Sequence, residues 1–133
     1  MTAPDYRFDP ETWDWSRPLF DHVQMHVRDV AESVRFYETV LAPLAIPLVY
    51  AGEQQAEFPN FAVVGGRTPS GPGHVAFRAA SEAQVQAFHR AGVEAGYRDN
   101  GAPGLRPQYY GRYYAAYLLD PDDNNVEAVY RGR

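Results

Sequence analysis

From Phe20 to Val27 the chain reads F-D-H-V-Q-M-H-V, with apolar Val23, Met25 and Val27 alternating against His22, Gln24 and His26. A period of two marks a strand with one buried face. The polar face carries two histidines and a glutamine where a simply solvated strand would show Lys, Glu and Thr. Asp29 then stands at a helix-cap position, and Val30, Val34, Tyr37 and Leu41 recur at helical spacing. This predicts a helix over 30–42, ended by Pro43 and Pro47. Short apolar segments follow at 46–50 and 61–65, then a Gly/Pro/Ser linker from Gly65 to Gly73.

Alternation resumes at 73–78, G-H-V-A-F-R, with His74, Ala76 and Arg78 opposite Val75 and Phe77. Ser81 is the next cap, for a helix over 82–95 with Glu82 in its first turn and Val85, Phe88, Ala91 and Ala95 facing inward. Strands are predicted at 113–119 and 125–130. Asp120-Pro121-Asp122-Asp123-Asn124 between them is a turn by composition.

The second pattern repeats the first. One offset of 52 relates His22 to His74, Val23 to Val75, Asp29 to Ser81, Phe36 to Phe88 and Leu41 to Val93. A supersecondary unit of this size cannot bury a core alone, so its repetition predicts two units sharing one. The expected fold is α+β, two βαβββ modules forming a curved mixed sheet with helices on the outer face and a concave trough on the other. Module one covers about 20–66 and module two about 73–131, within one domain over 19–131. Residues 1–18 show neither period, contain three prolines and read as an irregular arm that Trp13 and Trp15 dock onto something apolar.

Composition narrows the chemistry. The 133 residues, 45% hydrophobic and 22% charged, suit one compact domain. With no cysteine, disulfides, thiolate metal sites and cysteine nucleophiles are excluded. The net charge of −5 argues against nucleic acid as a partner. No apolar run approaches the roughly 20 residues of a membrane helix, and no secretory h-region is present, so a soluble, cytoplasmic protein is expected. Tyr109, Tyr110, Tyr113, Tyr114 and Tyr117 crowd one segment, which suits either a half-wet cavity or an interface.

His22 and His74 open the first strand of each module, and pseudo-twofold packing would turn both onto the trough. Two imidazoles want a carboxylate beside them to balance a divalent cation. Glu127 interrupts the last apolar strand, V-E-A-V-Y, where an acid needs a partner or water. Aligning 60–64 with 125–129 makes its module-one counterpart Ala62, or Val63 with a slipped register, neither of which binds metal. Taken singly, each histidine reads as a hydrogen-bonded strand residue and Glu127 as an exposed acid or an arginine partner. Together they read as a metal site with open positions for water and substrate. Gln24, His26, Ala76 and Arg78 should share the trough face. His26 lies about 13 Å from His22 along the strand, too far for the same ion, and is either a general base or a hydrogen-bonded strand residue. Arg78 either clamps a substrate carboxylate or pairs with a surface acid.

Three stretches carry a family resemblance: D-H-V-Q-M-H-V-R-D-V-A-E-S-V-R-F-Y at 21–37, G-H-V-A-F at 73–77 and L-D-P-D-D-N-N-V-E-A-V at 119–129. They resemble the vicinal oxygen chelate superfamily, which includes glyoxalase I, extradiol dioxygenases, fosfomycin and bleomycin resistance proteins, and methylmalonyl-CoA epimerase. The resemblance covers roughly 19–131 and implies the glyoxalase/bleomycin resistance/dihydroxybiphenyl dioxygenase fold. It matches His22, His74 and Glu127 to metal-ligand positions, for Fe, Mn, Ni, Co or Zn. It implies a small oxygenated substrate and an isomerase, lyase or dioxygenase reaction, for which His26 and Arg78, read on the trough face, are the candidate catalytic residues. Gln24, Tyr113, Tyr114 and Tyr117 are candidate substrate contacts. Ala62 or Val63 replaces the further glutamate of glyoxalase I, and Asp123 stands where similar proteins carry a turn glycine. The resemblance also implies a homodimer, either side by side or with exchanged modules, so that His22 and His74 of one site come from different chains. The alternative is a metal-free protein that sequesters an aromatic drug, as bleomycin resistance members do.

Overall fold

The computed structural model describes residues 7–132, so residues 1–6 of the expected arm lie outside it. Module one contains β1 (Val23–His26), α1 (Val30–Leu41), β2 (Tyr50–Ala51), β3 (Gln55–Phe58) and β4 (Phe61–Val64). Module two contains β5 (His74–Arg78), α2 (Glu82–Glu94), β6 (Arg98–Leu105), β7 (Tyr114–Leu119) and β8 (Asn125–Tyr130). Each module folds its strands into one four-stranded mixed sheet, in the orders β1-β4-β3-β2 and β5-β8-β7-β6. The first strand of each runs parallel to the last, and the remaining pairs are antiparallel.

The caps are local chemistry. The Asp29 carboxylate accepts the Glu32 N–H, and the Ser81 hydroxyl accepts the Gln84 N–H, satisfying amides that a helix leaves unpaired at its start. Two strands escaped the sequence pattern. β3, Q-A-E-F, shows its alternation in only two apolar positions, the buried Ala56 and Phe58, and β6 contains Asp, Asn, Pro and two glycines that read as loop. β6 is an edge strand broken by register shifts at Asp99/Gly101 and Gly101/Gly104, where such residues are tolerated. The inward side of α2 also differs: Val85 and Phe88 are buried, but Ala95 is exposed and Val93 does not reproduce the burial of Leu41. Gly92 lies inward there, because a Cβ on it would stand 2.4 Å from Leu118 and 3.3 Å from Val40. The helix packs closer than any side chain would allow.

The two modules share one core. Phe36 and Phe88 are fully buried, and the Phe61 and Phe77 rings cross edge to face at 5.2 Å. A polar clamp crosses the same boundary. Tyr37 on α1 donates to Asp120 Oδ2 at 2.5 Å, and Asn124 donates its amide to the same oxygen at 2.9 Å. Asn124 Oδ1 accepts the Gly73 N–H at 2.7 Å, so the turn before β8 also holds the residue before His74. Asp123 within that turn adopts φ 65°, a left-handed conformation that Asp accommodates. Among the described residues no helix is long and apolar enough to cross a membrane.

A candidate metal half-site in module two

The register of the second sheet sets the site. Ala76, Glu127 and Tyr117 lie side by side across β5, β8 and β7, and His74 lies one row further along the same face. His74 Nε2 and Glu127 Oε1 are 2.8 Å apart. The imidazole is half-exposed at 52%, whereas the carboxylate is 1% exposed. The Tyr113 hydroxyl donates to Glu127 Oε2, so both oxygens of a buried acid are engaged. Burial and this hydrogen bond to Glu127 push the Tyr113 hydroxyl pKa upward, keeping it a donor. The Tyr117 ring stands 6.4 Å from the His74 ring, and burial followed by the Glu127 charge raises its pKa too.

This pair fits half of a metal site. Donors about 2.1 Å from one ion and about 90° apart stand about 3.0 Å from each other. His74 and Glu127, an imidazole nitrogen and a carboxylate oxygen 2.8 Å apart, come close to that spacing. The third expected ligand is elsewhere. His22 precedes β1, is 67% exposed, and holds Asp21 Oδ1 through Nδ1 at 2.7 Å. It lines a groove of about 360 Å³ in module one with Gln24, Gln55, Glu57 and Ala62. Among the described residues, no three His, Asp or Glu side chains gather closely enough to hold one metal ion.

The remaining candidates divide by strand face. Ala62 pairs with Gln24 as Glu127 pairs with Ala76, which identifies Ala62 as the module-one counterpart of the acid. Tyr114 turns away from Tyr113 and Tyr117. It packs in the core beneath α2, and its hydroxyl accepts Gln86 Nε2 at 2.9 Å, because neighbouring strand residues point to opposite faces. It is therefore no part of the trough. His26 is half-buried, with its backbone N–H given to Ser70 Oγ at 2.8 Å. Arg78 donates from Nη1 to the Trp15 carbonyl at 2.7 Å. His89 pairs with Asp99 at 2.8 Å, and that bond holds the Asp99 pKa below its usual value. Sequence reasoning named Tyr110 only within the tyrosine run and passed over Arg131, which follows the last strand and carries no pattern of its own.

Two sheets of this order, each with a helix against it and paired through one core, define the class of protein. Residues 19–128 match the family model for the Glyoxalase/Bleomycin resistance protein/Dioxygenase superfamily, and the chain belongs to that family. It is similar in structure to a glyoxalase/bleomycin resistance protein from Albidiferax ferrireducens T118, with 31% identity, TM-score 0.76, and 86% of this chain and 100% of that one covered. A lactoylglutathione lyase from Agrobacterium tumefaciens shares the fold at 17% identity and TM-score 0.65, over 86% of this chain and 95% of that one. A fosfomycin resistance protein from Mesorhizobium loti does so at 21% and 0.60, over 82% and 88%. No curated protein sequence matches the chain at a significant level.

Proposed function

We propose that this chain is a metal-dependent member of its family, acting as a homodimer on a small oxygenated substrate. The observation that carries the reading is the buried Glu127 carboxylate meeting His74 Nε2 at 2.8 Å on the face away from the helices. The ion is divalent Fe, Mn, Ni, Co or Zn, and its third protein ligand is His22 of a second copy. β1 and β5 support the exchange, since each ends its sheet and pairs with a strand on one side only. Joining the β1 edge of one copy to the β5 edge of another covers two open edges and extends the trough. When bound, the ion supplies a Lewis acid for a substrate with two neighbouring oxygens. Tyr113 orients Glu127, Tyr117 lines the pocket beside His74, and Arg78 marks its far end. The reaction is an isomerisation, lyase or dioxygenase step in a cytoplasmic setting.

A specific observation favours a second reading. Both Glu127 oxygens already have hydrogen-bond partners within the chain, and aromatic rings crowd the same face. That arrangement suits a metal-free protein that holds a flat aromatic ligand.

Metal analysis of untagged protein separates the two. The wild type should hold a divalent ion, and His22→Ala and His74→Ala should each lose it. Refolding those two variants together should restore about a quarter of the sites by random reassortment of a twofold dimer. Restoration of none would place both ligands in one chain, and a wild type that takes up no metal would leave the binder.

A further inference from the structure

One end of the module-two trough is covered. Register puts Arg78, Val129 and Ala115 in one row on the face away from α2. Ala115 is 0% exposed and Val129 7%, yet neither belongs to the core beneath the helices. Apolar side chains on the open face of a sheet stay wet unless something lies over them. The arm gathers here. Arg78 donates to the Trp15 carbonyl at 2.7 Å, and the indole lies nearly parallel to the Tyr110 ring, 20° off at 6.3 Å. The Arg131 guanidinium sits 4.8 Å from the Trp15 ring and 4.8 Å from the Tyr113 ring, placing a cation between two π faces. The Trp15 indole N–H is tied back to the Pro10 carbonyl at 3.0 Å.

We propose that the arm is a wall of the candidate site, with Trp15 as a specificity-determining residue held in place by Arg78 and Arg131. The inference rests on the metal-site reading above. Trp15 is two side chains from the Glu127 carboxylate, through Arg131 and Tyr113. The wall it forms is aromatic and edged by guanidinium groups, so it selects a flat ring bearing an anionic oxygen over a small chelator that never reaches it. Glu127 sets where two neighbouring oxygens bind, and Trp15 sets what may be attached to them.

Both tryptophans of the protein lie in the arm, so in a Trp13→Phe background the emission reports Trp15 alone. In the zinc-loaded protein, Trp15 should be shielded from acrylamide, and Arg78→Ala should raise its quenching toward that of the urea-unfolded chain. Two probes then test the wall: 4-nitrocatechol, which carries a ring, and oxalate, which offers paired oxygens without one. Trp15→Ala should weaken 4-nitrocatechol about three- to tenfold, the worth of one aromatic contact, and leave oxalate unchanged. Trp15→Phe should retain most of the affinity, which guards against a folding defect. Free quenching of Trp15 in the wild type overturns the wall. So does unchanged 4-nitrocatechol binding by Trp15→Ala while oxalate still binds, and that result leaves the metal reading intact. A wild type that binds neither probe defeats the metal reading and the wall together.

Discussion

The two modules are alike under their helices and unlike on their open faces. Phe36 and Phe88 occupy matched positions and are equally buried, and each helix begins on a side-chain cap. On the open face the counterpart of Glu127 is Ala62, and the counterpart of Tyr117 is Glu57, by position across the strands. Module one joins β3 to β4 through the two residues Pro59 and Asn60. Module two spends five residues, Asp120 to Asn124, and wires them to Tyr37 and Gly73. Duplication of the core needs only volume and period, which many residues satisfy. Chemistry needs particular donors at particular places, and at those places the two modules differ.

The likeness of the two modules should show most strongly in their shared core. Phe36→Ala and Phe88→Ala should each lose about 3–5 kcal/mol in urea unfolding, as deletions of a buried ring do. A large cost for one and a cost below about 1 kcal/mol for the other would show that the modules do not carry equal weight.

The module-two turn gives a smaller effect. Asn124→Ala leaves the Gly73 N–H unpaired and strips one donor from Asp120, so about 2–3 kcal/mol of stability should go. A loss within about 0.5 kcal/mol of zero in the same urea assay would demote the turn to an ordinary connection.

Tyr37→Phe comes last, at about 1–2 kcal/mol at neutral pH, because Asn124 still serves Asp120 Oδ2. Its pH signature sharpens the point. Burial first, and the Asp120 charge second, raise the Tyr37 pKa well above 10.0. The folded state therefore holds this proton more tightly than the unfolded one. The associated stability is complete below about pH 10 and declines as pH rises further. Melting curves across that range should show the decline in the wild type and a shallower one in Tyr37→Phe.

Much of the fold was legible because periodicity and capping are local. Asp29 and Ser81 hold the amides assigned to them, and the face shared by His74 and Glu127 follows from strand alternation. The same alternation, read through the tyrosine run, would have placed Tyr114 under α2, but composition drew it in with its neighbours. β6 was illegible because an edge strand tolerates glycine and proline that a central strand would reject. Val93 failed the repeat because Gly92 sets how closely α2 approaches Leu118, a contact 26 residues away in the chain.

Residue order alone determined the two helices and the strand faces, since each depends on neighbours within a few positions, and the duplication, which a single offset of 52 reveals. Three matters were left to the tertiary structure. His74 and Glu127 meet while His22 faces its own groove, Asp120 ties one module's helix to the other's turn, and Arg78 reaches the Trp15 carbonyl of the arm. Each of these joins residues far apart in the chain, and only the packing of the two sheets through one core brings such residues within hydrogen-bonding reach.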